Sequence, residues 1–258
     1  VSLHRSSWTD PRATFVGIKG GSPSDSHGHM DAGAFVLEAD GVRWAVELGR
    51  EEYFPIESRG MNLWSSAQDS DRWRIFRLSN FGHGTLVVDD QMQHAAGRAT
   101  LANFSADPRR PGTILDLTGV YRDQLASARR GVALLPSREV VVQDELSGLR
   151  PGSRVRWGMI TRAEPHELGA DRVELRQEGE TLSLRLLMPA GATWDAIDVS
   201  QPRNEWDSPN QGVRMIVAEV LAPANGRLTI AVTATPGTCD APVSSPSPLP
   251  LEEWPLRP

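Results

Sequence analysis

Cysteine is almost missing from this chain: a single residue, Cys239, stands among 258, so no disulfide can close within it. Long apolar runs are missing as well. No run of about 18 apolar residues occurs, which leaves nothing to cross a membrane as a helix. No signal peptide is visible, and Val1-Ser2-Leu3 begins without methionine; the expectation is a fragment or a processed chain. A basic excess is lacking too. Twenty-seven Lys and Arg face 33 Asp and Glu, a net charge of −6. That argues against a general nucleic-acid or anionic-membrane binder, since both need a cationic surface. An acidic polysaccharide stays open as a ligand, because a local basic cleft can sit on an acidic protein. Helical periodicity is nearly absent, and its best candidate, 124–130, is short.

What remains is strand-like sequence. Segments 14–19, 34–39, 43–48, 85–88, 113–117, 139–143, 154–160, 173–176, 181–188, 213–220 and 228–233 are β-branched or alternating runs, separated by Gly, Pro, Asn and Asp. Asp40-Gly41 and Glu178-Gly179 read as two-residue hairpin turns, which need positive φ at both central residues. Asn225-Gly226 is expected to join the last two strands in the same way. About a dozen strands at roughly ten-residue spacing predict an all-β fold, a two-sheet antiparallel β-sandwich. Its expected extent is 1–235, followed by a Pro/Ser-rich, loosely packed tail at 236–258.

Histidines supply the chemistry. His27 and His29 form a His-Gly-His pair, His83 lies in Phe81-Gly82-His83-Gly84-Thr85, and His94 follows soon after. A lone histidine is ordinarily a hydrogen-bonded surface or core residue. Two histidines at i and i+2 of an extended chain point the same way, so they can share a metal or divide roles at one cleft wall. Neutral imidazoles with one carboxylate suit zinc. Asp31, Glu38 and Glu47 are the carboxylate candidates. Glu38 faces Arg43 across the Asp40-Gly41 turn and reads as a surface ion pair, whereas Asp31 could join only after local bending. Glu47 comes back toward His29 along the partner strand.

Several motifs in order carry a resemblance. They are Gly20-Gly21, Ser26-His27-Gly28-His29-Met30-Asp31-Ala32-Gly33-Ala34-Phe35, Trp44-Ala45-Val46-Glu47-Leu48-Gly49, Tyr53, Phe81-Gly82-His83-Gly84-Thr85-Leu86-Val87-Val88-Asp89 and Gln93, with Arg5-Ser6-Ser7-Trp8 before them. The series resembles the C-terminal β-sandwich domain of the heparinase II/III-like polysaccharide lyases. The specific part covers 5–93. This implies β-elimination on an acidic, uronate-containing polysaccharide, an N-terminal α/α toroid as partner, and a periplasmic or secreted location. It implies zinc held by His29, Glu47 and His83, with His27 taking part in catalysis, while an essential tyrosine comes from the toroid. The family usually has Asp where this chain has Glu47, and often Asn where it has Gly84.

The chemistry agrees with these residue types. Elimination takes the proton at C5 of a uronate, so the neighbouring carboxylate must be neutralised; a base takes that proton and an acid serves the departing C4 oxygen. Tyr53 is a candidate sugar contact, or a packed sandwich residue. Arg77 is a candidate partner for a substrate carboxylate, as is Arg5, with exposed arginine the simpler reading of both. Trp8, Trp64 and Trp73 are candidates for sugar stacking, Trp44 belongs to the core, and Cys239 is inert. Two other readings compete. One is a cupin-type metal oxygenase, but Gly33 and Ala34 stand where its glutamate belongs. The other is a non-catalytic, zinc-stabilised carbohydrate-binding or structural sandwich.

Strand register adds one expectation. A two-residue turn at Asp40-Gly41 pairs Leu37 with Trp44, Phe35 with Val46 and Ala34 with Glu47. Counting back by twos then leaves His29 on the face opposite Glu47. A bulge or kink at 31–34, with Gly33 as its marker, is therefore required to turn His29 toward Glu47.

Overall fold

Alternation along the strands builds three antiparallel sheets around one core. The computed structural model describes residues 1–109, 111–237 and 248–256; Cys239 lies outside them. The first sheet runs β1 (Ser2–Arg5), β2 (Phe15–Ile18), β3 (Phe35–Ala39), β4 (Val42–Ala45). The second has the order β14 (Thr193–Asp198), β15 (Arg214–Leu221), β10 (Arg154–Thr161), β5 (Val87–Val88). The third has eight strands. Its order is β11 (Glu164–Leu168), β12 (Arg172–Gln177), β13 (Glu180–Met188), β16 (Leu228–Pro236), β9 (Val140–Ser147), β8 (Ser127–Leu134), β7 (Gly112–Asp116), β6 (Thr100–Ser105). Val16, Leu37 and Trp44 of the first sheet share one hydrophobic cluster with Trp157 and Ile216 of the second and Val132, Val142, Leu184 and Ile230 of the third. The sandwich expected from the sequence is present. After β4 the chain leaves β3, and the Val46 N–H donates to the Ile160 carbonyl of β10 (2.9 Å), which ties the two four-stranded sheets together.

Two expected hairpins form. Asp40 and Gly41 have φ of 57° and 84°, and Glu178 and Gly179 have 52° and 83°. Four readings need correction. Segment 124–130 is not helical: β8 begins inside it, and the inward row Ala128, Arg130, Val132, Leu134 hides its period-two pattern behind a charged residue. Asn225-Gly226 makes no hairpin, because β15 and β16 lie in different sheets and the turn carries the chain between them. Leu37 pairs with Ala45 rather than Trp44; Trp44 is the extra residue of a bulge, its indole buried and donating to the Ala39 carbonyl (3.1 Å). Val46 consequently pairs across to Ile160 and not with Phe35. The stretch 248–256 is not loose either: Leu251 and Leu256 bury themselves against Ile114.

Candidate functional site

The histidines sit in irregular chain between strands, held by turns and buried polar bonds. Ser22 to Gly28 is a compact turn in which the Gly28 N–H donates to the Asp25 carbonyl (2.7 Å). A Cβ on Gly28 would lie 2.5 Å from the Pro23 carbonyl oxygen, so the residue between the histidines has to be glycine. His27 takes φ +56°. The chain is not extended there, and His27 and His29 do not share a direction as an extended chain would make them. His27 is exposed and meets the edge of Trp64 (ring centroids 6.0 Å). His29 turns to His83 (5.3 Å).

The kink expected at 31–34 exists as a turn. The Ala34 N–H donates to the Asp31 carbonyl (2.9 Å), with Gly33 at φ +84°, a backbone state glycine reaches without strain. The turn brings Asp31 into the site. One donor atom from each of His29, Asp31 and His83 lies within 4.8 Å of the others. Asp31 also accepts from Lys19 Nζ (2.7 Å). Glu47 stands on the other side of His83: its Oε2 bonds His83 Nδ1.

His83 itself is 1% exposed, and its Nε2 is buried without a hydrogen-bond partner. Such an orphan carries a desolvation penalty unless something binds it. With His29 and Asp31 next to it, the donor set suits zinc. Burial disfavours the His83 imidazolium, but the charge and hydrogen bond of Glu47 outweigh it and raise its pKa. His29 is pushed down to about 4, by burial first and then by His83. It is therefore a neutral imidazole near neutral pH, the form that ligates metals.

Buried polar groups fix these loops. Arg130 and Asp144, both wholly buried, form a two-pronged ion pair (2.7 and 2.8 Å) between β8 and β9. Arg130 Nη1 also donates to the Gly33 and Gly84 carbonyls (2.7 and 3.0 Å), so one guanidinium grips the turn after His29 and the residue after His83. Gln93 donates to the Ala32 carbonyl (2.8 Å) and to the Tyr121 hydroxyl (3.0 Å). Arg72 donates to the Gly28 and Leu63 carbonyls (2.7 and 2.9 Å). Sequence reasoning did not find Arg72, Arg130 or Asp144 as holding residues. Arg130 and Asp144 had a signal: each occupies an inward position, between Ala128 and Val132 and just after Val142, and the two are register partners.

Other expected residues fall as follows. Tyr53 opens a short helix, α1 (Tyr53–Glu57). It is half-buried against Ile56 and Leu63, with its ring perpendicular to Trp64 (5.1 Å, 77°). Arg77 is committed internally, donating to Asn210 Oδ1 (2.9 Å) and to the Arg50 and Pro209 carbonyls (3.0 and 3.1 Å). Arg5 donates to the Ser7 and Asp10 carbonyls (2.7 and 3.1 Å). Trp73, 1% exposed, is core and has no face for a sugar. Trp8 and Trp64 are exposed. His94 receives a hydrogen bond from Arg122 (2.6 Å) and is not among the three clustered donors.

No curated protein matches the chain in sequence. Solved structures match it in fold. The heparan sulfate lyase HepC from Pedobacter heparinus superposes with a TM-score of 0.70 at 16% identity, over 93% of this chain and 35% of that one. A heparinase III structure gives 0.69 at 16%, over 93% and 36%. This chain thus spans about a third of the length of the structures it matches, and at such identity the likeness shows the fold. The family itself is given by residues 4–232, which match the model for the heparinase II/III-like C-terminal domain; the chain belongs to that family.

Proposed function

We propose that this chain is the β-sandwich half of a lyase that cleaves uronate-containing polysaccharide by β-elimination, completed by an N-terminal α/α toroid, and that it holds one zinc ion. The observation that carries the reading is the buried, partnerless Nε2 of His83 beside His29 and Asp31, within a chain of the heparinase II/III-like family. His29 and His83 serve as the imidazole ligands. The geometry favours Asp31 as the carboxylate ligand. Glu47, the ligand suggested by the family pattern, is better suited to hold His83 Nδ1, which orients the ring and strengthens it as a donor. Bound there, zinc would order the 20–34 and 80–85 loops and supply Lewis acidity at the cleft wall.

His27 is the catalytic group contributed by this chain. Exposed, with its backbone fixed by the Gly28 turn, it can exchange a proton with the substrate during removal of the C5 proton or departure of the C4 oxygen. The tyrosine implied by the resemblance is the second proton-transfer group and comes from the toroid. Arg77, with its guanidinium occupied, is assigned to holding the loops at 50 and 209–210 rather than to the substrate carboxylate. No helix among the described residues is long and apolar enough to cross a membrane. A secreted or periplasmic setting fits a polymeric substrate.

The test is absorbance of the unsaturated product from uronate polysaccharides, using the complete protein. His27→Ala is expected to abolish product formation while one equivalent of zinc stays bound. Full activity in the variant removes His27 from the mechanism. A metal-bound wild type inactive on every uronate polymer favours the non-catalytic, zinc-stabilised sandwich.

A further inference from the structure

An exposed tryptophan is costly to leave in water, and two of the eight are exposed here: Trp8 (76%) and Trp64 (58%). They differ in how they are held. Among the described residues no aromatic ring contacts Trp8 and nothing bonds its indole nitrogen. Trp64 donates from Nε1 to Glu57 Oε1 (2.8 Å), and Asn62 Oδ1 accepts from the backbone N–H groups of Trp64 and Ser65 (3.2 Å each). Tyr53 and His27 both stand perpendicular to the indole, at 77° and 86°, so neither ring lies flat on it. An exposed aromatic face is thus held in one orientation with no ring stacked on it.

Its placement ties it to the chemistry. The buried guanidinium of Arg72 donates at once to the carbonyls of Gly28 and Leu63. Gly28 follows His27, and Leu63 precedes Trp64. One side chain therefore fixes the spacing between the proposed catalytic imidazole and the indole.

We propose that Trp64, walled by Tyr53 and His27, is the stacking platform for one pyranose ring of the substrate, and that it sets which ring of the polymer lies against His27. The apolar C–H face of a pyranose suits an indole, while its equatorial hydroxyls remain free for polar partners in the plane. Because the platform is already ordered without ligand, binding loses little side-chain entropy there. The proposal rests on the lyase reading above. Arg72 is a positioning residue, acting through the two carbonyls it holds.

The experiment uses the complete protein as wild type, Trp64→Ala and Trp64→Phe. Tetrasaccharides of heparan sulfate, unsulfated glucuronan and alginate are the probes. Calorimetric Kd, KM and kcat, metal content and melting temperature are measured together. For the best-bound probe, Trp64→Ala is expected to weaken Kd and raise KM by about tenfold, the scale of a lost tryptophan anchor. Trp64→Phe should recover much of the loss, with zinc content and melting temperature as in wild type. Unchanged Kd in Trp64→Ala overturns the platform. So does unchanged Kd with a lowered melting temperature, which would mark Trp64 as covered by another part of the protein. A Trp64-dependent Kd in a wild type that forms no product keeps the platform and sinks the lyase reading. Failure of the wild type to bind any of the three probes overturns both.

Discussion

The eight-stranded sheet and the histidine-bearing loops are built by different means. In the sheet, β9 and β16 bury Val140, Val142, Leu228, Ile230 and Val232 at every second position, and stability is spread over many apolar contacts. In the loops, the 22–34 and 62–85 stretches follow no period. Small apolar clusters anchor them at Leu63, Ile75 and Leu78 and at Met30 and Trp73, and individual polar bonds from Arg72, Gln93 and Arg130 to backbone carbonyls set the course of the chain between those anchors. The sheet can lose a methyl group and keep its shape, whereas the placement of the histidine-bearing turns depends on a few single polar atoms. Bringing two imidazoles and a carboxylate within 4.8 Å of one another needs the second kind of construction, because positions fixed by packing alone are tuned only to the size of a side chain.

Arg130→Met should have the largest effect. It removes one partner of a wholly buried pair, leaves Asp144 uncompensated, and should cost about 3–5 kcal/mol in urea denaturation, with zinc affinity lost along with it. Arg130→Met combined with Asp144→Leu should cost less, since an apolar pair of similar volume replaces both charges. In the sheet, Ile230→Val, a buried methylene deletion, should cost only about 0.5–1.5 kcal/mol and leave zinc binding untouched. Equal losses of zinc affinity in the two would erase the distinction between the regions.

A subtler consequence concerns protons. In the metal-free protein His29 has a pKa of about 4, against about 6.5 when unfolded. Above pH 6.5 neither state is charged at this residue, and it contributes nothing to the pH dependence. As pH falls from 6.5 toward 4 the unfolded chain takes up a proton that the folded one refuses, so stability is lost across that window. His83 is shifted the opposite way. Its contribution is complete below 6.5 and lost only as pH rises through its raised pKa, so it does not mask the effect. A chemical-shift titration of the imidazoles should show one histidine neutral until about pH 4; His29 titrating near 6.5 would contradict the buried site.

The same contrast explains what could be read from the sequence. Strands such as β13 and β10 were legible because alternation and turn residues dictate them. The His-Gly-His motif and His83 were legible as candidate chemistry, and Gly33 marked the kink, although the parity argument for it rested on a Leu37–Trp44 pairing that the bulge at Trp44 removes. Which carboxylate stands beside His29 and His83 was not. Asp31 enters through a turn whose geometry depends on Arg130, ninety-nine residues further along the chain, and that arginine looked helical because a charge interrupts β8. The bulge at Trp44 was hidden for a related reason: Ala45 is as compatible with a core position as Trp44, so composition could not set the register.

Metal content of the purified protein tests the account most directly. After metal-free buffer exchange and zinc titration, elemental analysis should find one tightly held equivalent in the wild type, none in His83→Ala, and none or a weakly held ion in His29→Ala and Asp31→Asn. A wild type that holds no zinc, or a His83→Ala variant that keeps its full equivalent, would contradict it.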